Sequence, residues 1–178
     1  MNADAVQRAV RRMALEVLER ARAVGALERL ALVGIRRGGV HLAERLRDEV
    51  AKATGSVPPM GTLDIALYRD DLGERGAAPV VGPTDIRFGL EGRTILLADD
   101  VLYTGRTVRA ALDELVDFGR PRHVWLAVLV DRGGRELPIA ADFVGARLAV
   151  PEGEDVQVHW REAGAAEDAV VVRARRGS

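Results

Sequence analysis

Three apolar runs constrain this chain more than any other feature. "LALVGI" (30–35), "ILLA" (95–98) and "HVWLAVLV" (123–130) each run straight into a polar or glycine-bearing loop, and the first two loops open directly into segments of helical period. An unbroken apolar run fits a strand covered on both faces rather than one, and strands buried on both faces belong to a mostly parallel sheet with helices on either side. The reading is therefore an α/β fold, a mostly parallel sheet flanked by helices. In such sheets ligands sit in the crevice at the carboxyl ends of the strands.

The remaining segments fill in this plan. "AVQRAVRRMALEVLERARAV" (5–24) repeats Val6, Val10, Met13, Val17 and Val24 on one helical stripe, with Arg8, Arg11, Arg12 and Arg22 turned away from it. "VHLAERLRDEVAKA" (40–53) and "RTVRAALDELVDFG" (106–119) are the other helices, the second stopped by Gly119 and Pro121. "MGTLDIALY" (60–68) alternates as a strand. The polar, Gly- and Pro-rich stretch after it reads as a flexible hairpin or lid, approximately residues 69–81. "DFVGARLAV", "DVQVHW" and "AVVVRA" are short strands, the last two joined by the turn-prone "REAGAAED" into a small C-terminal β extension.

At 178 residues the chain is expected to form a single domain, 1–178, with the lid inside it. It has no cysteine, which excludes disulfides and thiolate chemistry. No apolar run is long enough for a membrane and the N-terminus lacks the pattern of a signal peptide, so a cytoplasmic location is expected. A formal net charge of −1 gives no general attraction to nucleic acid, so any such binding needs a local basic patch. His41, His123 and His159 have no metal-ligand spacing, and Trp125 and Trp160 read as core residues.

The chemistry concentrates in "ILLADDVLYTGRT" (95–107). Between strand and helix, the amides of Thr104, Gly105, Arg106 and Thr107 can converge on an anion, helped by the helix dipole and by two hydroxyls. The spacing is neither a Walker loop nor a dinucleotide fingerprint. Asp99 and Asp100, just upstream, would repel a bare phosphate, and their natural partners are sugar hydroxyls or a magnesium ion. Taken alone, an acidic pair at a strand end more often caps the next helix, and exposed arginines such as Arg36, Arg37 and Arg69 more often meet only water.

The whole of "ILLADDVLYTGRT" resembles the phosphoribosyl pyrophosphate (PRPP) motif of type I phosphoribosyltransferases. Together with "LVGIRRGGVHLAERL", "LDIALYRDDL" and "LAVLVDRGGRELPIAADFVG", the chain resembles in order and spacing the PyrR family, bifunctional attenuation regulators of pyrimidine genes that are also uracil phosphoribosyltransferases. The resemblance implies the type I fold and the reaction of uracil with PRPP to give UMP and pyrophosphate, with Mg2+ carried by PRPP. It implies that Asp99 and Asp100 hold the ribose and that Thr104, Gly105, Arg106 and Thr107 bind the 5'-phosphate. Arg36, Arg37 and Gly38 would form the pyrophosphate loop, and Arg69 would be a second clamp on the leaving group. Val130, Asp131 and Arg132 fall where the family reads the base. Tyr103 stands where purine-salvage relatives carry an acidic residue, and no catalytic role is assigned to it. The resemblance also implies a homodimer or higher homo-oligomer that binds a leader-mRNA stem-loop through Arg11, Arg12 and Arg135. Leu15, Gly134, Ala140 and Ala146 are apolar or small where family members are expected to be polar or basic. The alternative function is an RNA-binding regulator whose nucleotide site only senses UMP or PRPP.

Overall fold

Why does "ILLADDVL" stay extended through two adjacent carboxylates? In the computed structural model, which describes residues 1–65 and 84–174, β3 (Thr94–Leu102) continues past Asp99 and Asp100 because β4 (His123–Asp131) runs beside it along its whole length. Leu102 pairs with Asp131 at the far end. On the other side β1 (Leu30–Ile35) is registered only as far as Gly34 opposite Ala98. The apolar pattern alone ends this strand at the acidic pair. The structure corrects this: the carboxylates lie within β3 but beyond its pairing with β1, on a shoulder left open where β1 departs.

Five strands form the main sheet in the order β2-β1-β3-β4-β5, with β2 Met60–Leu63 and β5 Phe143–Arg147, and every neighbouring pair is parallel. Parallel neighbours need crossovers, supplied on one face by α2 (Gly38–Thr54) and on the other by α3 (Arg106–Asp117). α1 (Ala3–Ala23) lies with α2. The residues of β3 and β4 alternate between the two cores. Leu96, Ala98, Trp125, Ala127 and Leu129 face α1 and α2, while Ile95, Leu97, Leu126 and Val128 face α3. Both faces are therefore apolar, as the unbroken runs require.

α1 begins at Asn2, whose side chain accepts a hydrogen bond from the Ala5 amide at 3.0 Å, and ends with Arg20 and Arg22 in its last turn, where cations favour the dipole. Val6, Val10, Met13 and Val17 are buried as the period requires, and the four arginines turned away are exposed. Val24 departs from the expected stripe, because the helix has already ended and Val24 caps it in solvent. Beyond the sheet, β6 (Glu154–His159) and β7 (Ala169–Ala174) form an antiparallel hairpin. Trp160, Val156 and Val170 seat it in the α1/α2 core. Arg45 of α2 pairs with Glu162 at 2.8 Å and Asp168 at 2.7 Å, and its guanidinium lies 4.7 Å from the Trp160 ring centre. Burial acts to raise the Asp168 carboxyl, but the Arg45 hydrogen bond and charge outweigh it and hold it below its ordinary value. Only Met60–Leu63 of the expected strand 60–68 is strand among the described residues. Arg69 and the expected lid at 69–81 lie outside the described residues. Among those described, no helix is long and apolar enough to cross a membrane.

Candidate functional site

The strand order reverses between β1 and β3, one step to β2 and the other to β4, and an open α/β sheet has its crevice at that switch point. The loop after β1 and the loop after β3 therefore face each other. The first of them also presses closely against β3 itself. A Cβ built on Gly38 would lie 1.9 Å from an Asp100 carboxylate oxygen, and one on Gly39 would lie 2.2 Å from the Ala98 carbonyl oxygen. Only glycines let the start of α2 press against β3 here, which explains the "RGG" after β1 without appeal to flexibility. The Arg36–Arg37 peptide is cis. Arg36 donates from Nη2 to Thr62 Oγ1 at 3.1 Å, its Nε is buried without a partner, and Arg37 is exposed.

Asp99 is buried, and its Oδ1 accepts the Asp100 amide at 2.9 Å. Asp100 is only partly exposed, and burial pushes its carboxyl above the ordinary aspartate range despite hydrogen bonds and the nearby His41, which act the other way. His41 sits on the first turn of α2 with its ring centre 6.2 Å from that of Trp160. With Val101, Asp155, Val156, Val158 and Trp160, Asp100 lines an open cleft of about 540 Å3 between β3 and the C-terminal hairpin.

After β3 the chain turns through Thr104 and Gly105 into α3. Gly105 precedes the helix with φ +93°, a backbone conformation open to glycine and strained for other residues. A Cβ there would meet Leu137 and Ile139 at 3.4 Å, so the space above the turn is not what requires glycine. The Arg106 amide donates to Thr104 Oγ1 at 3.3 Å, and the amides of Glu136 and Leu137 donate to the Thr104 carbonyl at 3.0 and 3.1 Å. No acidic residue occupies the first turn of α3, which leaves its amide end favourable to an anion.

The turn after β4 adjoins this loop through the Arg132 amide, 3.1 Å from the Leu102 carbonyl. Val130 is buried in the sheet. Asp131 accepts from the Gly133 amide at 3.0 Å and pairs with Arg135 at 2.6 Å; burial would raise its carboxyl, but Arg135 holds it below its ordinary value. Arg132 is itself buried.

The structure thus brings together Gly38, Asp99, Asp100, Thr104, Gly105, Arg106, Thr107 and the end of β4 at Val130, Asp131 and Arg132. Of the three arginines expected on the RNA surface, Arg135 has its guanidinium engaged by the loops around β3 and β4. Its guanidinium donates to the carbonyls of Ile139 at 2.9 Å and Tyr103 at 2.7 Å and faces Asp131, so it staples the loop after β3 to the turn after β4. Arg12 pairs with Glu16 at 2.6 Å and also donates to the Val144 and Gly145 carbonyls, and Arg11 is exposed. Asp155 was not singled out from the sequence. Its only local sign is a charge in a short alternating strand, and its partner Arg132 lies 23 residues away.

A phosphoribosyl transferase domain matches residues 2–162. The Bifunctional protein PyrR of Roseiflexus sp. (strain RS-1) is 51% identical over 172 residues, which covers 97% of this chain and 92% of the relative. That of Thermus thermophilus is 52% identical over 178 residues, 100% of this chain and 96% of the relative. The hypoxanthine phosphoribosyltransferase of Trypanosoma cruzi superposes with a TM-score of 0.72 over 99% of this chain and 95% of its own; at 18% identity, that is a likeness of fold. A parallel sheet whose crevice is framed by a Gly-Gly loop, an acidic pair and a Thr-Gly-Arg-Thr turn, with half of all positions shared along the full chain, places this protein in the PyrR family of phosphoribosyltransferase-domain proteins.

Proposed function

We propose that the protein transfers the phosphoribosyl group of PRPP to uracil, releasing UMP and pyrophosphate, and that with UMP bound it regulates pyrimidine genes by binding a leader-mRNA stem-loop. The observation that carries the enzymatic half is the convergence of Gly38, Asp100 and the Thr104–Thr107 turn on one crevice at the sheet's switch point. As the bond from C1' to the pyrophosphate oxygen breaks, the ribose gains positive charge and the leaving group gains negative charge. Asp99 and Asp100 would hold the ribose hydroxyls beside the first charge. The amides and hydroxyls of Thr104, Gly105, Arg106 and Thr107 would anchor the 5'-phosphate, and Arg36, Arg37, Gly38 and Arg69 would receive pyrophosphate. The end of β4 at Val130, Asp131 and Arg132 would present uracil to the anomeric carbon. Magnesium enters with PRPP as part of the substrate. One adjacent carboxylate pair with no third ligand beside it among the described residues fits a cation already held by pyrophosphate oxygens.

The regulatory half rests on family membership and on the exposed Arg8, Arg11, Arg12 and Arg22 of α1, a local patch on a chain of net charge −1. A homo-oligomer would repeat that patch. The deciding experiment is a steady-state assay with uracil, PRPP and magnesium, with hypoxanthine as the control base. UMP formation from uracil alone is the expected result. Product from hypoxanthine alone would reject the uracil assignment, and UMP binding without turnover would make the site a sensor.

A further inference from the structure

We infer that Asp155 is a positioning residue for the base-reading turn, acting through Arg132 and the ring of Tyr103. The inference rests on the uracil phosphoribosyltransferase reading above and adds to it a residue of the C-terminal hairpin.

Arg132 is the unusual group. Its side chain is only 3% exposed, which for an arginine requires a counter-charge. Nη1 donates to Asp155 Oδ1 at 2.7 Å and Nη2 donates to the Glu154 carbonyl at 3.0 Å, while Nε is buried without a partner. The guanidinium carbon lies 4.0 Å from the centre of the Tyr103 ring, within cation–π range. Three segments far apart in sequence therefore meet on one side chain: the end of β3, the end of β4 and the start of β6. The Asp155 carboxylate is itself held, since Oδ1 also accepts the Val156 amide at 3.0 Å. Asp155 also lines the cleft beside Asp100.

Arg135 holds Asp131 and the Gly133 carbonyl on one side of the turn, and Asp155 with the Glu154 carbonyl holds the Arg132 side chain on the other. Gly133 and Gly134 follow Arg132 with φ of +70° and +72°, and both are exposed. Gly134 rests against Tyr103, where a Cβ would come within 2.5 Å of the ring. Removing the Asp155 charge leaves a buried guanidinium uncompensated, and the cheapest relief is for Arg132 to swing toward water and shift Gly133 and Gly134 beside it, while Asp131 stays paired in β4. The phosphate turn at Thr104–Thr107 is fixed separately by the Glu136 and Leu137 amides. Loss of Asp155 should consequently loosen the base and leave the phosphoribosyl end in place.

The test is steady-state kinetics of the full chain with uracil and PRPP varied in turn, for the unaltered protein, Asp155→Asn, Arg132→Gln and the double variant, with folding checked by circular dichroism. Asp155→Asn is expected to raise the KM for uracil about tenfold with the KM for PRPP within about twofold. The double variant should be no worse than Arg132→Gln alone, because Asp155 acts through Arg132. Should Asp155→Asn fail to fold, Asp155→Glu, which keeps the charge but moves the carboxylate off Arg132 Nη1, should raise the KM for uracil in the same sense by a smaller factor, again with the KM for PRPP unchanged. Additive penalties, equal shifts in both KM values, or an unchanged KM for uracil would overturn the positioning role. Absence of uracil turnover in the unaltered protein would instead overturn the enzymatic reading, and this inference with it.

Discussion

Gly38→Ala tests the crevice with a single methyl group. The added carbon would lie 1.9 Å from Asp100 Oδ2, 2.3 Å from its Cγ and 3.0 Å from its Cβ. Ordinary contact begins near 3.4 Å, so the carboxylate must retreat by roughly 1.5 Å. The obstacle is mainly a short side chain at the edge of a cleft, so most of the retreat is a rotation of Asp100, with a local shift of a few tenths of an ångström to free its Cβ, and the fold stays intact. Its chemical cost is larger. A misplacement of about 1 Å can cost about 100-fold in rate, equivalent to about 2.7 kcal/mol of transition-state stabilisation. We therefore expect kcat/KM for PRPP to fall at least 100-fold while the thermal midpoint stays within a few degrees. Gly38 also belongs to the proposed pyrophosphate loop, so the measurement is a cycle: Gly38→Ala in the wild-type background and again in Asp100→Ala. If the methyl acts by moving the carboxylate, it should cost little once the carboxylate is gone. A Gly38→Ala enzyme within threefold of wild type, or a penalty undiminished in the Asp100→Ala background, would refute the reasoning.

Asp100→Asn should lower turnover by about 10- to 1000-fold with a much smaller effect on UMP affinity, as compared by rapid-quench kinetics and calorimetry. Because burial raises the Asp100 carboxyl in the folded protein, wild-type turnover should climb with pH through a value above the ordinary 3.8, and this acid limb should disappear in Asp100→Asn. Glu114 on α3 is also raised by burial, with Asp64 and Asp117 adding to it; its Oε1 accepts from Thr84 Oγ1 at 2.5 Å and its Oε2 is buried without a partner. A carboxyl raised on folding binds more protons in the folded state, so its contribution to stability falls as pH rises from about 4.5 toward the folded value. Glu114→Gln should then raise the thermal midpoint by a few degrees at pH 8 and by less at pH 5, and equal shifts at both would contradict the burial argument. For RNA, Arg11→Gln with Arg12→Gln should weaken binding to a leader hairpin and reduce the salt slope by roughly 0.7 to 0.9 per lost phosphate contact, with uracil turnover retained, as filter binding across a salt series would measure. Arg135 is left out of that pair because it staples the loop after β3 to the turn after β4, and Arg135→Gln should lower turnover as well.

The sheet and the acidic-pair motif were legible in the sequence because both are local. Strands covered on both faces leave unbroken apolar runs, and the strand-turn-helix unit keeps Asp99 through Thr107 within nine residues. What escaped is long-range. That β3 runs past Asp100 depends on β4 accompanying it to Asp131, which no property of "ILLADD" announces. The Asp155–Arg132 pair joins a hairpin to a turn across 23 residues, and the role of Arg135 depends on carbonyls up to 33 positions away. Val24 followed the period of α1 but fell beyond its last turn, where periodicity continues in the sequence after the helix has stopped. The positive φ of Gly105 is also invisible in the sequence, where a glycine is equally compatible with close backbone approach.

The pairing of β1 with β3 has a consequence for how the chain is made. Leu30 meets Thr94 across the centre of the sheet, so a growing polypeptide carries β1 out of the ribosome long before its partner is synthesised. In that interval β2 occupies one side of β1, and the other presents "LALVGI" as a bare, wholly apolar edge. Such an edge invites pairing with any neighbouring nascent chain, and late non-local pairing slows folding relative to a bundle of the same size. Synthesis of this protein should therefore depend on cellular holding factors until residue 102 has emerged, and translation stalled between β2 and β3 should yield aggregates rather than half-folded intermediates.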